Sequence, residues 1–169
     1  VRDPDAETVL PNVTAEKLAM KAGTGIGTAT DALDLHVAEV EAETVTGGIN
    51  LIDHDRDLKI SDVTPGLNLS AISGLNVTTS GAIKVDVLQG SLTQDQQVKS
   101  VLGDITLKAK TNITANNLID SDDGQVSITA TEGSITTTSV APISATTDVT
   151  LTAKTDISTA STITTQAGN

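Results

Sequence analysis

From Gly103 the chain reads GDITLKAKTNIT, from Gly124 GQVSITATEGSIT and from Thr147 TDVTLTAKTDIS: one unit written three times, at offsets of 21 and 23 residues. Superposition places Ile105 on Val126 and Val149, Leu107 on Ile128 and Leu151, and Ala109 on Ala130 and Ala153. Ile113 and Ile157 keep step, while Ile135 lags by one because Gly133 adds a residue. A fixed period of this length is the signature of a stacked repeat architecture. Within each unit apolar residues alternate with Thr, Ser or Lys, the period of a half-buried strand, and the β-branched content suits a pleated surface. Helix is excluded in this half. Gly48-Ile-Asn-Leu, Gly66-Leu-Asn-Leu, Gly74-Leu-Asn-Val and Gly81-Ala-Ile-Lys-Val-Asp-Val carry the rhythm upstream.

Many short strands with turns between them build either an antiparallel sandwich or a coiled solenoid. Composition separates the two. The chain has no Phe, Trp, Tyr or Cys, and ordinary cores, sandwiches included, draw much of their buried area from aromatics. In a solenoid each apolar position sits about 4.8 Å above its counterpart, so like side chains form continuous stacks without aromatics. The expectation is an all-β parallel β-helix, one domain over residues 1–169. About 20 residues per coil gives about eight coils and a rod about 40 Å long.

The first third is less regular. Thr14–Ala22 and Ala32–Ala42 contain good helix formers, and Leu33, Val37 and Val40 would share a helical face. Alternation also fits, with Leu33, Leu35 and Val37 inward, a slip at Ala38, then Val40 and Ala42 inward between Glu39, Glu41 and Glu43. The strand reading is preferred.

The formal net charge is −12, which repels nucleic acid and anionic lipid. The apolar residues are too interrupted for a membrane span. Absence of cysteine removes disulfides, thiolate nucleophiles and thiolate zinc sites, and two histidines, His36 and His54, leave little base or metal chemistry. Starting at Val1 instead of Met, the chain reads as a processed product or a segment of something longer.

Gly23-Thr-Gly-Ile-Gly-Thr followed by Ala32-Leu-Asp-Leu, then Val40-Glu-Ala and Gly47-Gly-Ile-Asn-Leu, resembles a segment of very large secreted bacterial proteins of the filamentous haemagglutinin type. The Gly-Asp-Ile-Thr-Leu-Lys-Ala units resemble the repeats of the same proteins, and the likeness runs over residues 13 to 165. It implies a right-handed β-helical shaft, exported across a Gram-negative envelope and displayed at the surface or released, with adhesive or structural roles. The chain departs from that family's pattern in lacking an apparent amino-terminal secretion region and in replacing Gly-Gly turns, as at Lys110-Thr and Lys154-Thr.

Two acidic runs suit hard cations. Asp120-Ser-Asp-Asp-Gly puts Asp120, Asp122 and Asp123 in one tight turn, and Asp53-His-Asp-Arg-Asp places Asp53, Asp55 and Asp57 at alternate positions. Oxygen ligands at such spacings can hold calcium, though neither run has the Gly and Glu of an EF-hand loop, and solvated turns explain both. Gly23-Thr-Gly-Ile-Gly lacks the spacing and the Lys-Ser/Thr of a phosphate loop and reads as turn glycines. His54 reads as a surface histidine, and His36, alternating with Leu35 and Val37, points outward. Saccharide cleavage wants two acids across a cleft and an aromatic platform, which this composition does not offer. A Thr-x-Thr plane for ice is broken at Lys108. The Asn-x-Ser/Thr triplets at Asn12, Asn68, Asn76 and Asn112 arise from composition.

The expected function is therefore non-enzymatic, with no required cofactor: a shaft segment or protomer of an extracellular fibre or adhesin. It would associate end to end or with flanking coils of a parent chain, with calcium as a possible bridge, no nucleic-acid partner and no membrane insertion. The alternative is a binding module in which one face of the rod recognises a polysaccharide, a host receptor or ice.

Overall fold

The structure is a computed structural model that describes residues 10–63 and 72–166. The Gly66 repeat and Asn68 lie outside the described residues. Among the described residues seventeen strands, all laterally paired in parallel, wind into a β-solenoid of about seven turns. The first coil is β1 (Val13–Ala22) and the second β2 (Leu33–Thr46). The third holds β3 (Ile49–Asp53), β4 (Leu58–Ile60) and β5 (Leu75–Ser80), the fourth β6 (Ile83–Val87), β7 (Leu92–Gln94) and β8 (Val98–Ser100). The fifth holds β9 (Ile105–Ala109), β10 (Ile113–Ala115) and β11 (Ile119–Ser121), the sixth β12 (Val126–Ala130), β13 (Ile135–Thr137) and β14 (Ile143–Ala145). The seventh holds β15 (Val149–Ala153), β16 (Ile157–Thr159) and β17 (Ile163–Thr165).

The three strands of each coil define three faces. On the first face β3, β6, β9, β12 and β15 pair in sequence, and Ile49, Ile83, Ile105, Val126 and Val149 form one stack. On the second, Leu58, Leu92, Ile113, Ile135 and Ile157 stack. On the third, Leu75, Val98, Ile119, Ile143 and Ile163 stack. The repeat superposition seen in the sequence is the ladder register itself. The residue added near Gly133 is absorbed at the corner between β12 and β13, so Ile113 still meets Ile135.

Short strands follow from this arrangement. A three-residue strand has one outward position between two inward ones, as in β10 and β11, and the five-residue strands add one further pair. Corners recur after each, and their backbone groups are satisfied by the neighbouring coil. Asp57 Oδ1 accepts from Ser91 N at 2.7 Å, Asp104 Oδ1 from Gln125 N at 3.0 Å and Asn112 Oδ1 from Ser134 N at 2.9 Å. Buried Ser100 and Ser121 donate to the carbonyls of Gly81 and Gly103 at 2.8 and 2.9 Å. An unpaired carbonyl inside an apolar stack would cost about 1–3 kcal/mol, which explains serine where the stack otherwise carries Val77 and Ala145.

The long strands of the first third are strands, not helices. β2 alone spans all three faces, pairing with β3 through Leu33–Leu35, with β4 through Glu39 and Val40, and with β5 from Ala42 on. Its alternation slips at Ala38 because it rounds a corner there. At the next corner Val40, Glu41 and Ala42 are all buried, so Glu41, expected outward, points in. The difference from a uniform count of eight coils lies in the third coil. Asp57 and Ser91, one coil apart, are separated by 34 residues, whereas Asn112 and Ser134 are separated by 22.

Candidate functional site

The outward positions of the strands line up in files along the rod. In the first coils these files are charged, with opposite signs in register. Lys17 stands on Glu39 and Lys21 on Glu43, at 3.3 and 2.7 Å. Asp86 stands beside Lys108 at 2.8 Å, and Lys59 reaches Asp95 at 2.6 Å. In the last two coils every outward strand position carries a hydroxyl: Ser127, Thr129, Thr136 and Ser144, then Thr150, Thr152, Ser158 and Thr164. Five lysines that look dispersed in sequence, Lys17, Lys21, Lys59, Lys99 and Lys108, are thus matched to acids one coil away. Reading the sequence at an offset of 22 finds Lys17–Glu39, Lys21–Glu43 and Asp86–Lys108, but only once the register is known.

The Asp120 turn is built on one of these pairs. Lys99 of β8 and Asp120 of β11 are register partners, and the Lys99 ammonium also reaches Asp122 Oδ1 at 2.8 Å. That ammonium holds the Asp122 carboxyl below the usual carboxylate range. Asp123 is exposed. A divalent cation at Asp120, Asp122 and Asp123 would therefore compete with a resident ammonium.

The Asp53 run is spread over three environments. Asp53 is wholly buried at the end of β3, stacked between Leu35 and Val87. Its Oδ2 accepts from Val37 N at 3.1 Å and its Oδ1 from Arg56 N at 3.4 Å. Burial raises its pKa against those two donors. Asp55 is exposed and pairs with His36 Nδ1, while Asp57 is taken by the Ser91 amide. Among the described residues no group of three or more His, Cys, Asp or Glu is placed to hold a metal ion. His54 Nε2 meets Asp34 Oδ1 at 2.7 Å and is only 20 % exposed, so it fastens a turn to β2. Both histidines thus join coils.

The Gly23 run makes a corner. Ile26 N donates to Gly48 O at 3.1 Å. Gly27 has φ 62°, and a Cβ on it would lie 2.3 Å from Asn50 O, which only glycine accommodates. A shallow recess of about 240 Å³ lies where the first and second faces meet, between Leu88, Lys108, Lys110 and Glu132. Its ammonium groups are already engaged, Lys108 by Asp86 and Lys110 by Gln89 Oε1 at 2.8 Å.

The last described coil differs from the rest. Ile157 and Ile163 are 48 % and 40 % exposed, whereas Ile135 and Ile143, their stack neighbours one coil earlier, are essentially inaccessible. Val149, Leu151 and Ala153 are half-buried. Each of these residues faces the rod axis, so its exposed surface is the upper surface of the stack. Compared with protein-family models, with curated proteins and with solved structures, the chain matches none.

Proposed function

We propose that this chain is a structural shaft segment of an extracellular β-helical fibre or adhesin, without catalytic activity. The observation that carries the reading is the last described coil, where, among the described residues, the aliphatic side chains Ile157 and Ile163 continue the stacks of the preceding coils yet stand uncovered. A further coil of the same period, from a longer chain or a second copy, buries them and extends the ladder. The resemblance of the Gly23–Leu51 segment and the Gly-Asp-Ile-Thr-Leu-Lys-Ala units to filamentous haemagglutinin-type proteins supports the same reading, and with it secretion or surface display. The mechanical role follows from the architecture: hydrogen-bond ladders and matched ion pairs run along the rod axis and resist its bending. Calcium could act at the Asp120 turn or between acidic rods.

Sedimentation velocity with interference optics, with and without calcium, tests this reading. Concentration-dependent elongated species, lost in an Ile157→Lys/Ile163→Lys double variant that keeps its far-ultraviolet dichroism, are the expected result. A strictly monomeric chain at high concentration overturns self-association and leaves only covering by flanking coils.

The hydroxyl positions of the last two coils favour a second reading, a face that binds a polysaccharide, a receptor or ice. They surround the rod on all three faces instead of forming one plane, which supports the shaft reading over it. Retention of the chain by a neutral polysaccharide matrix or by growing ice would reverse that order.

A further inference from the structure

Among the described residues one acidic group lies inside the rod with a carboxyl oxygen left without a partner, away from the files of paired charges. Glu41 has no exposed surface. Its Oε2 accepts from Val63 N at 3.1 Å, and its Oε1 is buried without a hydrogen-bond partner. The cause is the corner of β2, where Val40, Glu41 and Ala42 all face inward.

Among the described residues no cation compensates this carboxyl. Its register partner on β1 is Ala19, and the flanking Lys17 and Lys21 are engaged by Glu39 and Glu43. Lys59 of β4 is engaged by Asp95, and β5 carries no charged residue. From residues 61–63 the facing charge is Asp62, of the same sign. A carboxylate so placed neutralises in preference to carrying an isolated buried charge. Burial accordingly pushes the Glu41 carboxyl above the ordinary range, against the Val63 amide and helped by Asp62.

Two residues away, Glu39 fastens the same segment differently. Its half-exposed carboxylate accepts from Ser61 Oγ at 2.8 Å, and that bond holds it below the ordinary range, with Lys17 adding to the effect. Ser61 N also donates to Val40 O at 3.1 Å. Residues 61–63 are therefore secured by one carboxylate that stays ionised and one group that prefers to be neutral.

We propose that Glu41 is a protonation-dependent clasp, seating residues 61–63 on β2 as the neutral acid and releasing them as the anion. The rod is then tightest at this corner below pH 4.5 and loosens as pH rises through the native pKa of Glu41. This holds whichever coil or partner covers the far end.

Titration of the glutamate Cδ resonances by NMR, together with hydrogen exchange of the Ser61 and Val63 amides, tests it on the whole chain. Glu41 is expected to titrate above 4.5. After correction for intrinsic exchange, protection of the two amides should fall between pH 4.5 and pH 8, by a factor of ten for each pH unit by which the native Glu41 pKa exceeds 4.5. In Glu41→Gln, protection should be the same at both pH values. A Glu41 titration at or below 4.5, pH-independent protection in the unaltered chain, or pH-dependent protection surviving in Glu41→Gln overturns the clasp. Should Glu41→Gln not fold, the titration of the unaltered chain decides alone.

Discussion

Lys99 stands directly over Asp120 in the parallel ladder, and its ammonium is shared with Asp122 two residues on. The turn that looks most suited to calcium thus has a cation of its own, contributed by the preceding coil. Lys99→Met should lower stability by about 1–2 kcal/mol, between the effect of an exposed ion pair and that of breaking a buried one. It should also leave Asp120 and Asp122 facing each other unneutralised. Millimolar calcium should then raise the melting temperature of Lys99→Met more than that of the unaltered chain, followed by far-ultraviolet dichroism. An equal calcium response in both would mean that Lys99 does not compete for the turn.

Position along the rod should grade the cost of core truncation. Leu107 is inaccessible in the fifth coil, with Val85 and Ile128 as its stack neighbours. Leu107→Ala should cost about 2–5 kcal/mol. Leu151, the next member of that stack, is only half-buried, and Leu151→Ala should cost less than half as much. Urea unfolding followed by dichroism distinguishes the two, and equal losses would show that the final coil is covered in solution.

Two glycines of the same region should respond unequally to alanine. Gly48 has φ 79°, and an added Cβ would lie 2.3 Å from the carbonyl oxygen of Ala82. Gly48→Ala therefore meets both left-handed strain of about 1–2 kcal/mol and a backbone collision. An added Cβ at Gly23 meets nothing within 4 Å, so Gly23→Ala should be nearly neutral. Paired melting curves give the comparison, and a tolerated Gly48→Ala would contradict the close packing of the third coil on the fourth.

The interior acids set the direction of the pH dependence. Burial lifts Asp53 above 3.8, so the folded chain retains a proton that the unfolded chain releases, and stability falls as pH rises from 3.8 through the native pKa. Asp95 is held low by Lys59 and Asn116, and Asp122 by Lys99. Their contribution is present above 3.8 and is lost as pH falls through their native pKa values. Stability should peak in mild acid. Asp53→Asn should flatten the alkaline side, where one proton contributes at most about 1.4 kcal/mol per pH unit. Urea midpoints between pH 3 and pH 8 measure both limbs, and an unchanged alkaline slope in Asp53→Asn would remove Asp53 as its source.

The parts of the fold that were legible in sequence are those in which a single residue type must recur at one height of every coil. Ile105, Val126 and Val149 reveal their register because each covers the one before. Corners hide structure for the opposite reason. At Ala38 the strand turns from one face to the next, and the resulting slip places Leu33, Val37 and Val40 at a spacing a helix would also use. The alternating pattern likewise sends Glu41 outward and treats Asp53 as part of a turn, because it cannot register that Val63, Val37 and Arg56 need acceptors at those corners. The calcium candidates were chosen by proximity along the chain, whereas the partners of Asp120 and Asp57 come from neighbouring coils, Lys99 21 residues from the first and Ser91 34 from the second.

The greater sequence length of the third coil leaves the ladder on either side intact. Leu58 still meets Leu92 and Leu75 still meets Val98, although the chain between β4 and β5 is far longer than in the coils that follow. The register on either side is thus kept with the longer sequence between β4 and β5 in place. The scaffold is in this respect a ruler with a mounting bracket: the extra sequence of the third coil is carried at one height on the rod without shifting the marks on either side of it.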